Sequence, residues 1–306
     1  MIYDCFTFFN ELDILEIRLN ELNEVVDKFV IVEATRTHQG KKKPLYFLEN
    51  RDRFRNFQEK IIHIIVDDLI SEPQDRTGYD FWSLFWFEGK SPWMNEGIQR
   101  NAILKGLADC NSDDIVIISD ADEIPNPEKV LEYKNFQGLR IFKQVLFCYY
   151  LNLKSTVNWY GSIMLSFEDL LNFQEPNLLR KITHNLVNIN KPIDRLKLLM
   201  KGLIISLKKR RFFKQMLLTP EIHIVENGGW HFSYMGGVDK VIHKLESFAH
   251  FELNTELYKN PEYIKSMLLQ YKNPINGSRL ERVNIDMTFP KYIQKNINKF
   301  SHMILS

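Results

Sequence analysis

Asp120 and Asp122, two residues apart and followed at once by Glu123, close the run Ile115-Val116-Ile117-Ile118-Ser119. Hard carboxylate oxygens at that spacing suit Mg2+ or Mn2+, and such an ion can neutralise a diphosphate before it departs. The apolar, β-branched residues ahead of them fit a strand buried on both faces of a parallel sheet. Pro125 removes a ladder donor, so the chain is expected to turn directly after the acids. Ligands of open α/β sheets gather at that edge. The plainer alternative is a solvated acidic turn.

A second constellation lies at Gly228-Gly229-Trp230-His231-Phe232-Ser233-Tyr234-Met235-Gly236-Gly237, with four glycines, three aromatic residues and one histidine in ten positions. Glycines let a backbone approach a ligand closely, and an aromatic ring such as Trp230 can stack on a base or a sugar face. A neutral His231 imidazole could complete the coordination begun by Asp122; a core histidine in a tight turn is the competing reading. Asp239, Lys240, His243, Lys244 and His250 follow on what would be the polar side of a helix. A lysine there, with Lys244 the candidate, could meet a phosphate.

The elements that must position these groups read as an α/β fold. Leu12, Leu15, Leu19 and Leu22 recur at spacings of three and four, which predicts an amphipathic helix over 11–22. Residues 28–33 and 61–66 predict buried strands, separated by the loop Gly40-Lys41-Lys42-Lys43-Pro44 and a polar stretch over 50–58. A helix over 96–108 leads into the Ile115 strand, and the alternation points to βαβ units in a parallel or mixed sheet. Leu139–Phe142 and Val145–Leu151 suit an antiparallel addition beyond the acidic turn. Residues 172–221 lack clean periodicity and predict a variable insertion over one face of a single domain spanning 1–306. Helical periodicity returns over 238–249.

Composition excludes several classes. At 306 residues and 44% hydrophobic the chain can bury a sizeable core. A net charge of +1 argues against a general nucleic-acid binder, which needs excess Lys and Arg to displace counterions. Cys5, Cys110 and Cys148 are far apart and odd in number, which fits a reducing compartment. No apolar segment suggests a signal peptide or a span, so the expectation is a soluble, cytoplasmic protein. Lys208, Lys209, Arg210 and Arg211, beside bulky apolar residues, suit weak peripheral contact with the inner face of an anionic membrane; a solvated helix face is the equal alternative.

Ordered blocks along the chain resemble glycosyltransferase family 17. They are Phe6-Thr7-Phe8-Phe9-Asn10-Glu11-Leu12-Asp13-Ile14-Leu15-Glu16-Ile17-Arg18; Val26–Thr35 with Pro44-Leu45-Tyr46-Phe47; Ile118–Pro125; and Gly229–Ser233 with His243–Ser247, with Pro290-Lys291-Tyr292 fitting as well. The resemblance implies a GT-A type fold with a mixed, mostly parallel sheet flanked by helices. It also implies UDP-GlcNAc as donor, Mn2+ or Mg2+ as cofactor, and inversion at the anomeric carbon. It assigns Asp120 and Asp122 to metal and ribose, and places Glu33, Thr35 and Arg100 near the nucleotide. Animal members carry a membrane anchor that this sequence does not display. The expected acceptor is therefore a lipid-linked saccharide or a lipopolysaccharide or capsule precursor, beside the glycoprotein glycan of those members.

Such a transferase needs one in-line displacement, with a carboxylate taking the acceptor's proton while cations stabilise the departing diphosphate. Candidate bases are Glu123, Glu226 and Glu96, Glu226 because it lies just before the glycine-rich turn. Two alternatives stand beside this reading. One is a phosphohydrolase of the haloacid dehalogenase type, with Asp120 as nucleophile, although Glu123 and Ile124 depart from that motif. The other is a non-catalytic protein that binds glycans or nucleotide sugars.

Overall fold

The structure is a computed structural model and describes residues 1–71, 91–173, 175–187 and 221–305. The basic cluster at 208–211 and most of the expected insertion lie outside the described residues. The strands are β1 (Ile2–Phe8), β2 (Lys28–Ala34), β3 (Ile61–Val66), β4 (Ile115–Asp120), β5 (Glu123–Pro125), β6 (Leu139–Cys148), β7 (Leu153–Ser166), β8 (Ile222–Val225), β9 (Gly229–Ser233) and β10 (Leu280–Arg282). They form one mixed sheet in the order β3-β2-β1-β4-β7-β6-β9-β5, with β10 added to β7 and β8 to β6.

The first four strands in that order are parallel. Their side chains alternate between two apolar layers, as a pleated strand requires. Phe6, Phe8, Phe29, Ile31 and Ile117 pack on one face with Leu15, Leu19 and Leu22 of helix α1 (Leu12–Leu22). Tyr3, Cys5, Val30, Val32, Val116 and Ile118 pack on the other with Ala102, Ile103 and Leu107. Burial on both faces explains why β2 and β4 read as continuous apolar runs. It also leaves the C-terminal ends of β1 and β4 as the edge where polar residues emerge.

Three sequence expectations change. The chain does not simply turn at Pro125: Glu123–Pro125 forms β5, antiparallel to β9, with Pro125 opposite Gly229. Proline is tolerated there because β5 ends the sheet's order, so among the described residues no strand pairs with its outer edge. The two runs at 139–151 are not separate strands but mostly one, β6, whose irregularities between Ile141 and Lys143 and between Val145 and Phe147 break the period-two pattern. Its antiparallel partner is β7, which sequence periodicity does not reveal. Finally, the stretch read as an insertion contains the helix Pro176–Val187. Its apolar residues recur at helical spacing, and Asn177, Arg180 and Thr183 are buried beside Leu179.

Candidate active site

The acidic turn between β4 and β5 opens into a cleft of about 1130 Å³. Thr7 from β1, Glu96 and Arg100 from the helix Ser91–Asn101, Arg180 from Pro176–Val187, His231 from β9 and Lys244 from the helix Val238–Leu245 all line it beside Asp120 and Asp122. Topology accounts for their meeting. Thr7 is the register partner of Asp120, and His231 is the register partner of Glu123.

Asp120 is bound by cations. Its Oδ1 accepts from Arg100 at 2.8 Å and from Thr7 Oγ1 at 3.2 Å, and its Oδ2 lies 3.4 Å from Arg180. Burial opposes its ionisation, but Arg100 and Arg180 outweigh that and hold the carboxyl far below the usual carboxylate range. Asp122 is 8% exposed; its Oδ2 accepts from Lys244 Nζ at 2.9 Å. Its Oδ1 lies 3.5 Å from His231 Nε2. Here too burial is overcome, by Lys244 and His231, and the carboxyl is held low. In return, Asp122 and Glu11 push the Lys244 ammonium well above its ordinary range, against the effect of burial.

Glu123, one of the three expected bases, has donors on both carboxylate oxygens. It is fully buried, and its carboxylate accepts from Trp159 Nε1 at 2.6 Å, from the Asp120 amide at 3.0 Å and from Arg180. Each oxygen is committed to a donor that shapes the turn. Gly161 makes this packing feasible: a Cβ there would fall 2.6 Å from Glu123 Cδ and 2.5 Å from Gln144 Oε1.

The other expected residues divide clearly. Glu226 lies away from the cleft, 64% exposed and paired with Lys143. Glu96 lines the cleft, with Oε1 2.8 Å from Arg100 and a buried Oε2 that has no hydrogen-bond partner among the described residues. Trp230 packs in the core and donates to the Thr288 carbonyl at 2.8 Å; Trp159 is the indole beside His231, with ring centroids 4.8 Å apart. Glu33 is buried behind the cleft, bound to the Phe47 amide at 3.0 Å and 3.2 Å from His63. Thr35 bonds to the Val66 carbonyl. Lys43, 3.6 Å from Glu33, reaches the cleft wall in their place. The glycines at 228 and 229 serve chain packing: at Gly229, with φ +126°, a Cβ would fall 2.2 Å from the Ile124 carbonyl. Sequence reading missed Arg180, Trp159 and Thr7. A signal existed only for Thr7, which stands in the first block of the family resemblance.

The three-residue metal set is not assembled as expected. Asp120 is turned to its arginines, and among the described residues no three His, Cys, Asp or Glu side chains converge. Asp122 and His231 do meet. Their 3.5 Å separation is longer than a good hydrogen bond yet short enough for a carboxylate oxygen and an imidazole nitrogen to share one ion. His231 Nδ1 is buried without a partner among the described residues. The pair fits a divalent cation that keeps most of its shell for water or phosphate oxygens.

Residues 1–163 match the family model for glycosyltransferase family 17. The chain belongs to glycosyltransferase family 17. Over 311 residues it is 23% identical to the β-1,4-mannosyl-glycoprotein 4-β-N-acetylglucosaminyltransferase of Mus musculus, covering 96% of this chain and 53% of that protein. The same enzyme of Rattus norvegicus is 24% identical over the same shares. That of Homo sapiens is 30% identical over 131 residues, 42% of this chain and 22% of that protein. The chain thus spans about half the length of the curated relatives it matches over most of its own length. Among solved structures, HddC from Yersinia pseudotuberculosis complexed with GMP-PN aligns with a TM-score of 0.31 at 13% identity, over 55% of this chain and 77% of that one, too loosely to bear on the fold. In this family 17 chain, no helix among the described residues is long and apolar enough to cross a membrane.

Proposed function

We propose that this chain is an inverting, metal-dependent glycosyltransferase of the GT-A type that transfers GlcNAc from UDP-GlcNAc, in β-linkage, to a hydroxyl of a glycan or lipid-linked saccharide. The observation that carries the reading is the Asp122–His231 pair, 3.5 Å apart at the cleft edge and set beside Lys244, Arg100 and Arg180. Kinship with enzymes named as N-acetylglucosaminyltransferases supports the donor sugar.

A Mn2+ or Mg2+ ion held by Asp122 and His231 would supply positive charge where the leaving diphosphate develops its own. Lys244 and Arg180 add cations beside Asp122 and Asp120 of the acidic turn, so the departing oxygen would meet positive charge already in place. An acceptor hydroxyl attacks the anomeric carbon as the bond to the diphosphate breaks, and its proton passes to a carboxylate. Of the three candidates, Glu96 is the one on the cleft wall, and we assign it that role. Arg100 and His38 outweigh burial and keep Glu96 ionised, as a base requires.

The phosphohydrolase alternative has no observation in its favour: Asp120, its nucleophile, is tied to two guanidinium groups. Calorimetric titration with UDP-GlcNAc, in Mn2+ and again in EDTA, tests the proposal, with UDP-glucose and UDP-galactose as comparators. Metal-dependent binding that prefers UDP-GlcNAc is expected, and Asp122→Ala should remove only the metal-dependent part. Equal affinity for all three donors would reject the GlcNAc assignment; no effect of EDTA would reject the metal.

A further inference from the structure

Behind the acidic turn lies a guanidinium that does not itself line the cleft. Arg18, on α1, is completely buried. Its Nε and Nη2 donate to the two oxygens of Asp4 on β1 at 2.7 and 2.6 Å. Nη2 also donates to Ser119 Oγ at 2.6 Å. Nη1 is shared among three backbone carbonyls of the acidic turn: Glu123 at 2.7 Å, Asp120 at 3.0 Å and Ala121 at 3.3 Å. All five N–H groups of the side chain thus have acceptors. The remaining carbonyl of the turn, that of Asp122, accepts from the Phe232 amide at 2.8 Å.

We propose that Arg18 is a positioning residue for the proposed metal-dependent transfer: with Asp4 it clamps the backbone of residues 120–123 and so sets Asp122 at its distance from His231. Four consecutive carbonyls bound to interior donors leave the turn one conformation, with Asp122 turned toward the cleft. A buried charged pair is weak support for stability in itself, because desolvation offsets its attraction. Its value here lies in geometry, since only a planar fork can grip a carboxylate in two places and still collect backbone oxygens on its other side. Lysine carries the charge without the fork.

This inference rests on the metal reading, and the test separates the two. Arg18→Lys and Asp4→Asn are compared with the parent by hydrogen–deuterium exchange at the amides of 120–123 and by Mn2+ titration without donor. Leu268→Ala, in a separate apolar cluster, serves as a control for general destabilisation. Below the melting temperature, Arg18→Lys is expected to exchange at least tenfold faster in the turn, with β2 unchanged, and to lose about 10- to 100-fold in Mn2+ affinity, as removal of groups that orient a metal ligand does. Leu268→Ala should do neither. Should Arg18→Lys fail to fold, Asp4→Asn carries the same prediction with a smaller effect. Parental Mn2+ affinity in the folded variants would overturn the clamp. A parent that binds no Mn2+ would overturn the metal reading and, with it, the role given to Arg18.

Discussion

Lys244 Nζ lies 2.9 Å from Asp122 Oδ2, so the carboxylate proposed to hold a divalent cation already carries a monovalent one. The ammonium also sits 5.1 Å from the Tyr234 ring centroid, close to a second site where a cation is favoured. An ion arriving at Oδ1, beside His231, meets the repulsion of the ammonium held at Oδ2. The same ammonium lines the cleft and can meet the donor's diphosphate.

Lys244→Met should therefore have opposite effects on two ligands. Mn2+ alone should bind about tenfold tighter, the equivalent of ~1.4 kcal/mol of relieved competition, while UDP-GlcNAc in saturating Mn2+ should bind more weakly. Titrations of each ligand separately check this. Weaker binding of both would mean that Lys244 supports the site and does not compete for it.

Trp159, and not Trp230, should be the indole on which donor binding depends. Trp159→Phe leaves Glu123 without its 2.6 Å indole donor and should cost about 1–3 kcal/mol in urea unfolding, with reduced donor affinity. Trp230→Phe loses the bond to the Thr288 carbonyl and part of the indole's core packing. It should unfold somewhat earlier and bind donor as the parent does.

Arg180 joins Glu123 to Asp120. Arg180→Met leaves two carboxylates facing each other with one fewer cation, and removing one partner of a buried pair costs about 3–5 kcal/mol. Equilibrium unfolding should show that loss. Glu123→Gln in the same background should restore part of it, because it removes the buried charge Arg180 had balanced.

Acid stability should depend on Glu16, which ties α1 to the short helix Arg51–Phe57 through Arg53 at 2.7 Å and to the C-terminal segment through Tyr292 at 2.6 Å and Lys299. Burial raises its pKa, but these partners prevail and hold it below the ordinary value. A depressed carboxyl contributes stability above its unfolded pKa of about 4.3 and loses it as the pH falls through the folded value. Glu16→Gln should lower the melting temperature at pH 7 and show a shallower further fall below pH 4. Parallel melting curves for parent and variant from pH 7 to pH 3 would contradict the link.

The sequence is most legible where side-chain period and burial agree. Leu12–Leu22, Lys28–Ala34, Ile61–Val66 and Ile115–Asp120 carry a clean apolar face or a continuous apolar run. Strand β1 is harder to see because Asp4 and Thr7 interrupt it, and Asp4 is buried only because Arg18 meets it from another element. Arg180 is obscure for the same reason: its helix turns polar residues inward toward partners the sequence does not announce. Trp230 misleads because both stacking rings and core rings are apolar, and the 2.8 Å bond from its indole to Thr288 that anchors it in the core spans 58 positions.

The ladder pairing of Glu123 with His231 has a consequence in time. A ribosome that has finished β5 has made Asp120 and Asp122 but not the histidine, the lysine or Arg180, and the matched family region also ends, at residue 163, before any of them. Closing so long a connection is slow compared with forming local contacts. The parallel half of the sheet can therefore assemble first. The cleft gains its last lining groups only after β9 and the helix carrying Lys244 have been made, so the parallel core precedes the cleft in the order of synthesis.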